Sequence, residues 1–280
     1  MDWDADGKLL LSVSADRNGQ VWRRSKEGWM STIVALRFKR AATCARWAPS
    51  SSNSLFAAGG SEGIVAIGQY EDSQDLLGCR HLRKALDGTP IQALGWSPAG
   101  DYLAVALLSG KIVLFGKDGD EIEDKAVSEM QVESWPHSLA FSKEGGTLVI
   151  ACHSGQLVSW SLQTGSVNTV QVDGPLKQCL FFKEDELIAV PFSGPALKVN
   201  VLHDGQMTIK GQFAYDKAVN ARSSAVSSVI SKLQDASISN ANNNPQSGKS
   251  GRLFMTAAKE HVAIATQGSN KISLVPSKEF

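Results

Sequence analysis

Short runs of apolar residues recur along most of the chain and alternate with turns rich in Gly, Ser, Asp and Pro. One example is the run from Tyr102 to Leu107, which is followed by the turn Ser109-Gly110 and by a second run from Ile112 to Phe115. Short runs bounded by turn residues are typical of β-strands, whereas helices need longer segments with a period of about 3.6 residues. The pattern therefore predicts an all-β chain of short antiparallel strands.

An aromatic residue marks one apolar run in each of five consecutive units, and successive aromatics lie 41 to 49 residues apart. That period suits one four-stranded blade of a β-propeller, which takes about 40 to 45 residues in the WD-repeat family. We therefore predict a WD-repeat β-propeller with about six recognisable blade units. The five aromatics are Trp3, Trp47, Trp96, Phe141 and Phe182.

The two ends of the chain depart from this repeat. The tail, residues 253–257, 261–266 and 271–275, predicts a sixth unit with three strands and without the aromatic mark. Only two residues precede Trp3, whereas about four precede the aromatic in the other units. We therefore expect a first strand that is cut short, and a chain that is truncated at its N-terminus.

Residues 214–252 interrupt the repeat, and we interpret them as an insertion before the last unit of a single propeller domain spanning residues 1–280. From about 218 to 235, apolar side chains recur with the period of a helix. The rest is polar and of low complexity, which predicts a flexible tether. A tethered helix with an apolar face is suited to a groove on a partner, although it could also pack on its own propeller. That face consists of Val226, Val229, Ile230 and Leu233.

Composition narrows the class of protein. Lys plus Arg and Asp plus Glu number 28 each, so the formal net charge is zero and no overall field favours nucleic acid or an anionic membrane. No apolar run approaches the roughly 20 residues of a membrane-spanning helix. Four widely spaced cysteines are too few to form a disulfide framework, so we expect reduced thiols in a soluble, intracellular protein.

The motifs that carry enzyme or cofactor chemistry are incomplete. Gly248-Lys249-Ser250 resembles the end of a phosphate-binding loop, but Asn243 stands where the first glycine belongs. The cysteines form no CxxC pair, and the five histidines fall near predicted strand ends or turns, where solvated or capping roles are usual. We therefore predict no catalytic, cofactor-binding or metal-binding residues.

Two basic clusters lie at comparable places, about one outer strand before the next aromatic. They contain Arg37, Lys39 and Arg40, and Arg80, Arg83 and Lys84. One hypothesis is a surface for an acidic partner. The other is a solvated outer edge, where Lys and Arg discourage pairing between strands of different molecules.

The segment from Gly28 to Pro49 carries a specific resemblance. Its basic stretch and the motif that follows, Arg46-Trp47-Ala48-Pro49, resemble the WD-repeat subunit (subunit 1) of the actin-related protein 2/3 complex, where R-x-x-R-A-A-x-C precedes R-W-A-P. The matching residues before that motif are Arg37, Arg40, Ala41, Ala42 and Cys44. The similarity keeps the family order over most of the chain and fades after about residue 160.

The resemblance implies a seven-bladed, non-enzymatic scaffold that supports nucleation of branched actin filaments. Its implied partners are the other subunits of the complex, the actin filament and WASP-family activators, with neither nucleic acid nor membrane insertion. The implied location is the cytoplasmic actin cytoskeleton, and the insertion would reach toward the filament and the activator.

Two other classes of protein stay open from the sequence. A different cytoplasmic WD-repeat adaptor, such as one in a vesicle coat or a ubiquitin ligase, would share the repeat. A propeller enzyme would require acidic or His side chains that converge at the central channel.

Overall fold

The computed structural model describes residues 1–26, 28–49, 54–71, 76–118, 121–213, 253–258, 261–266 and 271–276. Every regular element in these ranges is a β-strand, which confirms the predicted all-β class. The strands form antiparallel meanders, because each short apolar run ends at a turn that reverses the chain. Within the same ranges, no helix has the length and apolar character needed to span a membrane.

Six successive units carry the strands, as the repeat predicts. The first comprises β1 Asp2–Trp3, β2 Leu9–Val13, β3 Gly19–Ser25 and β4 Gly28–Ala35, and the second β5 Ala42–Trp47, β6 Leu55–Gly60, β7 Val65–Gln69 and β8 Leu76–Leu82. The third comprises β9 Ile91–Trp96, β10 Tyr102–Leu107, β11 Lys111–Asp118 and β12 Glu121–Gln131, and the fourth β13 Pro136–Phe141, β14 Thr147–Cys152, β15 Gln156–Ser161 and β16 Val167–Gln171. The fifth comprises β17 Leu176–Phe181, β18 Glu186–Pro191, β19 Ala196–Val201 and β20 Met207–Phe213, and the last β21 Leu253–Ala258, β22 His261–Thr266 and β23 Lys271–Pro276.

The chain divides into two compact units, Met1–Gln212 and Phe213–Phe280. In the first, the leading strands β1, β5, β9, β13 and β17 contact one another in chain order, so that consecutive four-stranded sheets pack face to face. In the second, β21, β22 and β23 form a three-stranded antiparallel sheet. This is the architecture of a WD-repeat β-propeller. As expected, β1 is short: it has two residues and pairs with β2 through Asp2 and Trp3.

Four hydrophobic clusters fill the spaces between consecutive sheets of Met1–Gln212. Alternate residues of one strand pack in different clusters, since successive side chains of a strand point to opposite faces of the sheet. Val105 packs toward the second sheet, for example, whereas Ala104 and Ala106 pack toward the fourth. Aromatics of the repeat, including Trp47 and Trp96, are buried in these clusters, which explains why the mark recurs once per blade.

The outer strands of the first two blades make an additional connection. β4 and β8 pair in parallel, with Ile33 opposite Leu76 and Ala35 opposite Gly78, and so join two blades into one eight-stranded sheet. Because the strands are parallel, their C-terminal ends lie side by side, and the segments that follow them leave the sheet at the same end. This pairing brings the two basic clusters of the sequence together.

All four cysteines are free, as the sequence predicts. Cys152 and Cys179 are buried, and burial raises the pKa of Cys152 to about 11 and that of Cys179 to about 12. Both therefore act as small apolar core residues.

Candidate functional site: a basic surface and an aromatic patch

Two basic segments follow the paired outer strands. Arg37, Lys39 and Arg40 lie in the connection from β4 to β5, and Arg83 and Lys84 lie in the connection from β8 to β9. All five side chains are exposed. We call these five residues the basic surface.

Phe38 and His81 join the two segments. Their rings stack with centroids 5.9 Å apart and planes 27° apart, and Phe38 is only 5% exposed. The Nε2 atom of His81 lies 2.7 Å from the carbonyl oxygen of Leu36, and its Nδ1 atom lies 3.1 Å from Nη2 of Arg83. Because the carbonyl only accepts and the guanidinium only donates, this geometry fits a neutral imidazole that carries its proton on Nε2. His81 thereby connects one basic segment to the other.

Two carboxylates hold the backbone of the basic segments. Asp124 accepts hydrogen bonds from the amides of Arg83 and Lys84, at 2.9 and 3.0 Å, and Glu62 accepts one from the amide of Lys39 at 3.0 Å. These bonds fix the loops through main-chain atoms. All five charged side chains are exposed and so accessible to a partner, although the Arg83 guanidinium also contacts His81.

Arg80, the sixth basic candidate, has a different environment. Its Nη2 atom donates to the carbonyl oxygen of Ile122 at 2.5 Å and lies 3.6 Å from the carboxylate of Glu121. Both residues belong to β12 of the next blade. Arg80 therefore links two blades, and we leave it out of the basic surface.

The other four candidates, Val226, Val229, Ile230 and Leu233, lie outside the described residues. Their helical face and the tether after it stay predictions, as does the single domain of residues 1–280.

An aromatic patch occurs on the same face of Met1–Gln212 as the basic surface. Trp135 and Phe192 are 54% and 45% exposed, and they flank a pair of histidines, His137 and His153. The Nε2 atom of His137 lies 2.9 Å from Nδ1 of His153, and the Nζ atom of Lys177 lies 5.6 Å from the centre of the Phe192 ring. Trp135 follows the fourth strand of a blade, and His153 and Phe192 each follow a second strand. His137 and Lys177 lie at the start of leading strands. In an antiparallel meander these positions, like the loops of the basic surface, all lie at the same end of the sheets. Exposed aromatic residues of this kind are common in protein interfaces.

This patch was not predictable from the sequence. In the sequence, His137 and His153 are two separate residues near predicted strand ends or turns, whereas the structure places them side by side at the start of β13 and directly after β14. A Trp-Pro-His sequence at 135–137 was the available signal. The pairing itself depends on the register between the neighbouring strands β13 and β14, which shifts between Pro136 and Ser138, and no local pattern in either strand specifies that register.

We expect the histidine pair to make stability depend on pH. Partial burial, followed by the charges of His153 and Lys177, lowers the pKa of His137 below its ordinary value of 6.5. The unfolded chain therefore binds the proton more readily than the folded chain, so the folded state loses stability as the pH falls below about 6.5. When the pH is lowered from 7.5 to 5.5, the free energy of unfolding measured with urea should fall more for wild type than for a His137→Asn variant. Equal losses would contradict the assignment, and His203→Asn serves as a control at an exposed histidine.

Comparison with known proteins tests the resemblance noted in the sequence. No family model matches the chain. Subunit 1A-B of the actin-related protein 2/3 complex from Xenopus laevis is 27% identical over 208 residues, which cover 68% of this chain and 55% of that protein. Subunit 1A from Arabidopsis thaliana is 25% identical over 294 residues, covering 97% and 77%, and subunit 1 from Schizosaccharomyces pombe is 26% identical over 214 residues, covering 69% and 56%.

The chain is similar to subunit 1 of the actin-related protein 2/3 complex. It spans about half the length of the Xenopus relative that it matches. The segment from Gly28 to Pro49, which carries the resemblance to subunit 1, includes β4, the first basic segment and β5. This segment therefore contains three of the five residues of the basic surface and the Phe38 ring that stacks on His81.

Proposed function

We propose that the chain is a non-enzymatic scaffold subunit of an actin-related protein 2/3 complex, supporting nucleation of branched actin filaments in the cytoplasmic actin cytoskeleton. Its partners would be the other subunits, the actin filament and WASP-family activators. The similarity to subunit 1 proteins from an animal, a plant and a yeast carries this proposal. These proteins are named as subunits of one complex, and a propeller supplies the rigid surfaces that such a subunit needs.

The basic surface supports a more specific part of the proposal. Five exposed cations, held on loops whose backbones are fixed by Asp124 and Glu62, form a preorganised positive patch on a chain of zero net charge. A patch of this kind attracts acidic segments and steers their association. We assign it to an acidic segment of a partner in the complex or of an activator.

The predicted helix of the insertion supports a second contact. Short helices rich in serine are marginal in water, so an apolar face such as that of Ile230 and Leu233 needs a cover. We propose that this cover is the filament or an activator.

Affinity purification of the tagged protein from its own cells, followed by mass spectrometry, tests the proposal. We expect actin-related proteins and other subunits of the complex among the proteins recovered. An Ile230→Asp and Leu233→Asp double variant should retain the subunits and the melting temperature of wild type but lose branching activity or activator binding, because surface changes cost little stability.

Two results would contradict these assignments. Recovery of coat or ubiquitin-ligase components without actin-related proteins would exclude the scaffold role proposed here. A large drop in the melting temperature of the double variant, with binding preserved, would mean that the helix packs on its own propeller.

A further inference from the structure

The connection from β8 to β9 contains a threonine followed by proline, Thr89-Pro90, in the same loop as Arg83 and Lys84 of the basic surface. The whole chain has one other Ser/Thr-Pro pair, Ser97-Pro98. A proline removes the amide hydrogen and favours an extended conformation of the residue before it. Proline-directed protein kinases select a serine or threonine that is followed by proline, so both pairs match the sequence requirement of these kinases.

The structure distinguishes the two pairs. Ser97 is 3% exposed, and its hydroxyl oxygen accepts a hydrogen bond from the amide of Tyr102, the first residue of β10, at 2.9 Å. Thr89, in contrast, is partly exposed and lies in a surface loop. Only Thr89 is therefore placed where a kinase active site has access to the hydroxyl.

The hydroxyl of Thr89 belongs to a small network that shapes the loop. Asp87 accepts hydrogen bonds from the Thr89 hydroxyl at 2.6 Å, from the Thr89 amide at 2.9 Å and from the Ser109 hydroxyl at 2.6 Å. Desolvation acts to raise the pKa of Asp87, but the hydrogen bonds from Ser109 and Thr89 outweigh it and the pKa is lowered. Asp87 is thus an ionised carboxylate that ties the loop to the turn between β10 and β11.

We propose that Thr89 is a phosphorylation site for a proline-directed kinase, and that its phosphate weakens the binding of acidic partners to the basic surface. In this reaction the Oγ1 atom of Thr89 forms a bond to the γ-phosphorus of ATP while the bond to the bridging oxygen breaks and ADP leaves. The hydroxyl proton passes to the base of the kinase. The regulatory part of the proposal rests on the acidic-partner function proposed above.

Two physical effects connect the phosphate to the basic surface. Phosphorylation adds about −1.5 to −2 charges at neutral pH and replaces a donor with acceptors. The Thr89–Asp87 hydrogen bond is lost and the two anions repel, so the loop that carries Arg83 and Lys84 must move. The added negative charge also lies in the same loop as these cations and reduces their attraction for an acidic segment.

The experiment uses the full chain, ATP and a purified proline-directed kinase of the mitogen-activated class. Cleavage by trypsin releases one peptide from Ala85 to Lys111, which carries Thr89, Ser97 and Ser109, and its fragment ions locate the phosphate. We expect phosphate on Thr89 and none on Ser97. A Thr89→Ser variant should be modified and a Thr89→Ala variant should not. Phosphate on Ser97 with none on Thr89, or no phosphate on the peptide, would overturn the site.

The binding arm uses a fluorescent peptide of Asp and Glu as the probe. Phosphorylation of wild type should weaken its binding about ten-fold, whereas kinase treatment of Thr89→Ala should have no effect. Unchanged binding by the phosphorylated wild type would overturn the regulatory part. If the unmodified protein does not bind the probe, the acidic-partner function fails and the regulatory part fails with it, while the mass spectrum still decides the site.

Discussion

A Gly68→Val variant is expected to lower the free energy of unfolding by about 3 kcal/mol. Gly68 on β7 stands directly opposite Phe56 on β6, and the Phe56 ring occupies the space that a side chain at position 68 would need. A Cβ atom there would lie 2.8 Å from Cε2 of Phe56 and 2.9 Å from Sγ of Cys79. Phe56 is fully buried and packs edge to face against Trp47, with ring centroids 5.4 Å apart, so it has little room to move.

Urea unfolding followed by tryptophan fluorescence measures this effect, since Trp47 reports on the same cluster. Gly78→Ala is the matched control, because a Cβ at position 78 on the neighbouring strand β8 meets no atom within 4 Å. The control should differ from wild type by less than about 0.5 kcal/mol. Adding Phe56→Leu to Gly68→Val should restore part of the lost stability, because the smaller side chain leaves room. Wild-type stability of Gly68→Val alone would contradict the packing described here.

The repeat architecture was predictable from the sequence because each blade buries the same kinds of residue in the same order. Alternation of apolar residues predicts the strands, and the aromatic positions such as Trp47 and Trp96 recur because each lies in a cluster between two sheets. The parallel pairing of β4 with β8 was not predictable. It depends on how two outer strands of different blades approach, and neither strand carries a signal for the other.

The candidate site was likewise predictable only in part from the sequence. The charges of Arg37 and Arg83 are visible in the sequence, but the stacking of Phe38 on His81, which brings their loops together, joins residues 43 positions apart. Arg80 belongs to the same run of basic residues as Arg83, yet it bonds to the adjacent blade. The sequence shows how many charges a segment carries, whereas contacts with the adjacent blade decide which of these charges already have a partner within the chain.

Reversing the charges of the basic surface is expected to weaken binding of an acidic peptide about ten-fold for each pair and about 100-fold for both pairs together. The two double variants are Arg37→Glu with Arg40→Glu, and Arg83→Glu with Lys84→Glu. The fold should be unaffected, because Asp124 and Glu62 hold these loops through backbone amides that the substitutions retain. The effect should shrink as salt rises from about 50 to 200 mM, since exposed charges are screened.

Fluorescence anisotropy of a labelled peptide of Asp and Glu measures the affinity, and thermal unfolding checks the fold. Lys143→Glu with Lys210→Glu is the matched control, because both side chains are exposed and the change in net charge is the same. If the control weakens binding as much as the double variants do, attraction by the net charge of the whole chain explains the affinity. If only the variants of the basic surface lose affinity, the docking site lies at the end of the β4–β8 pair, because there the parallel pairing brings the two basic loops together.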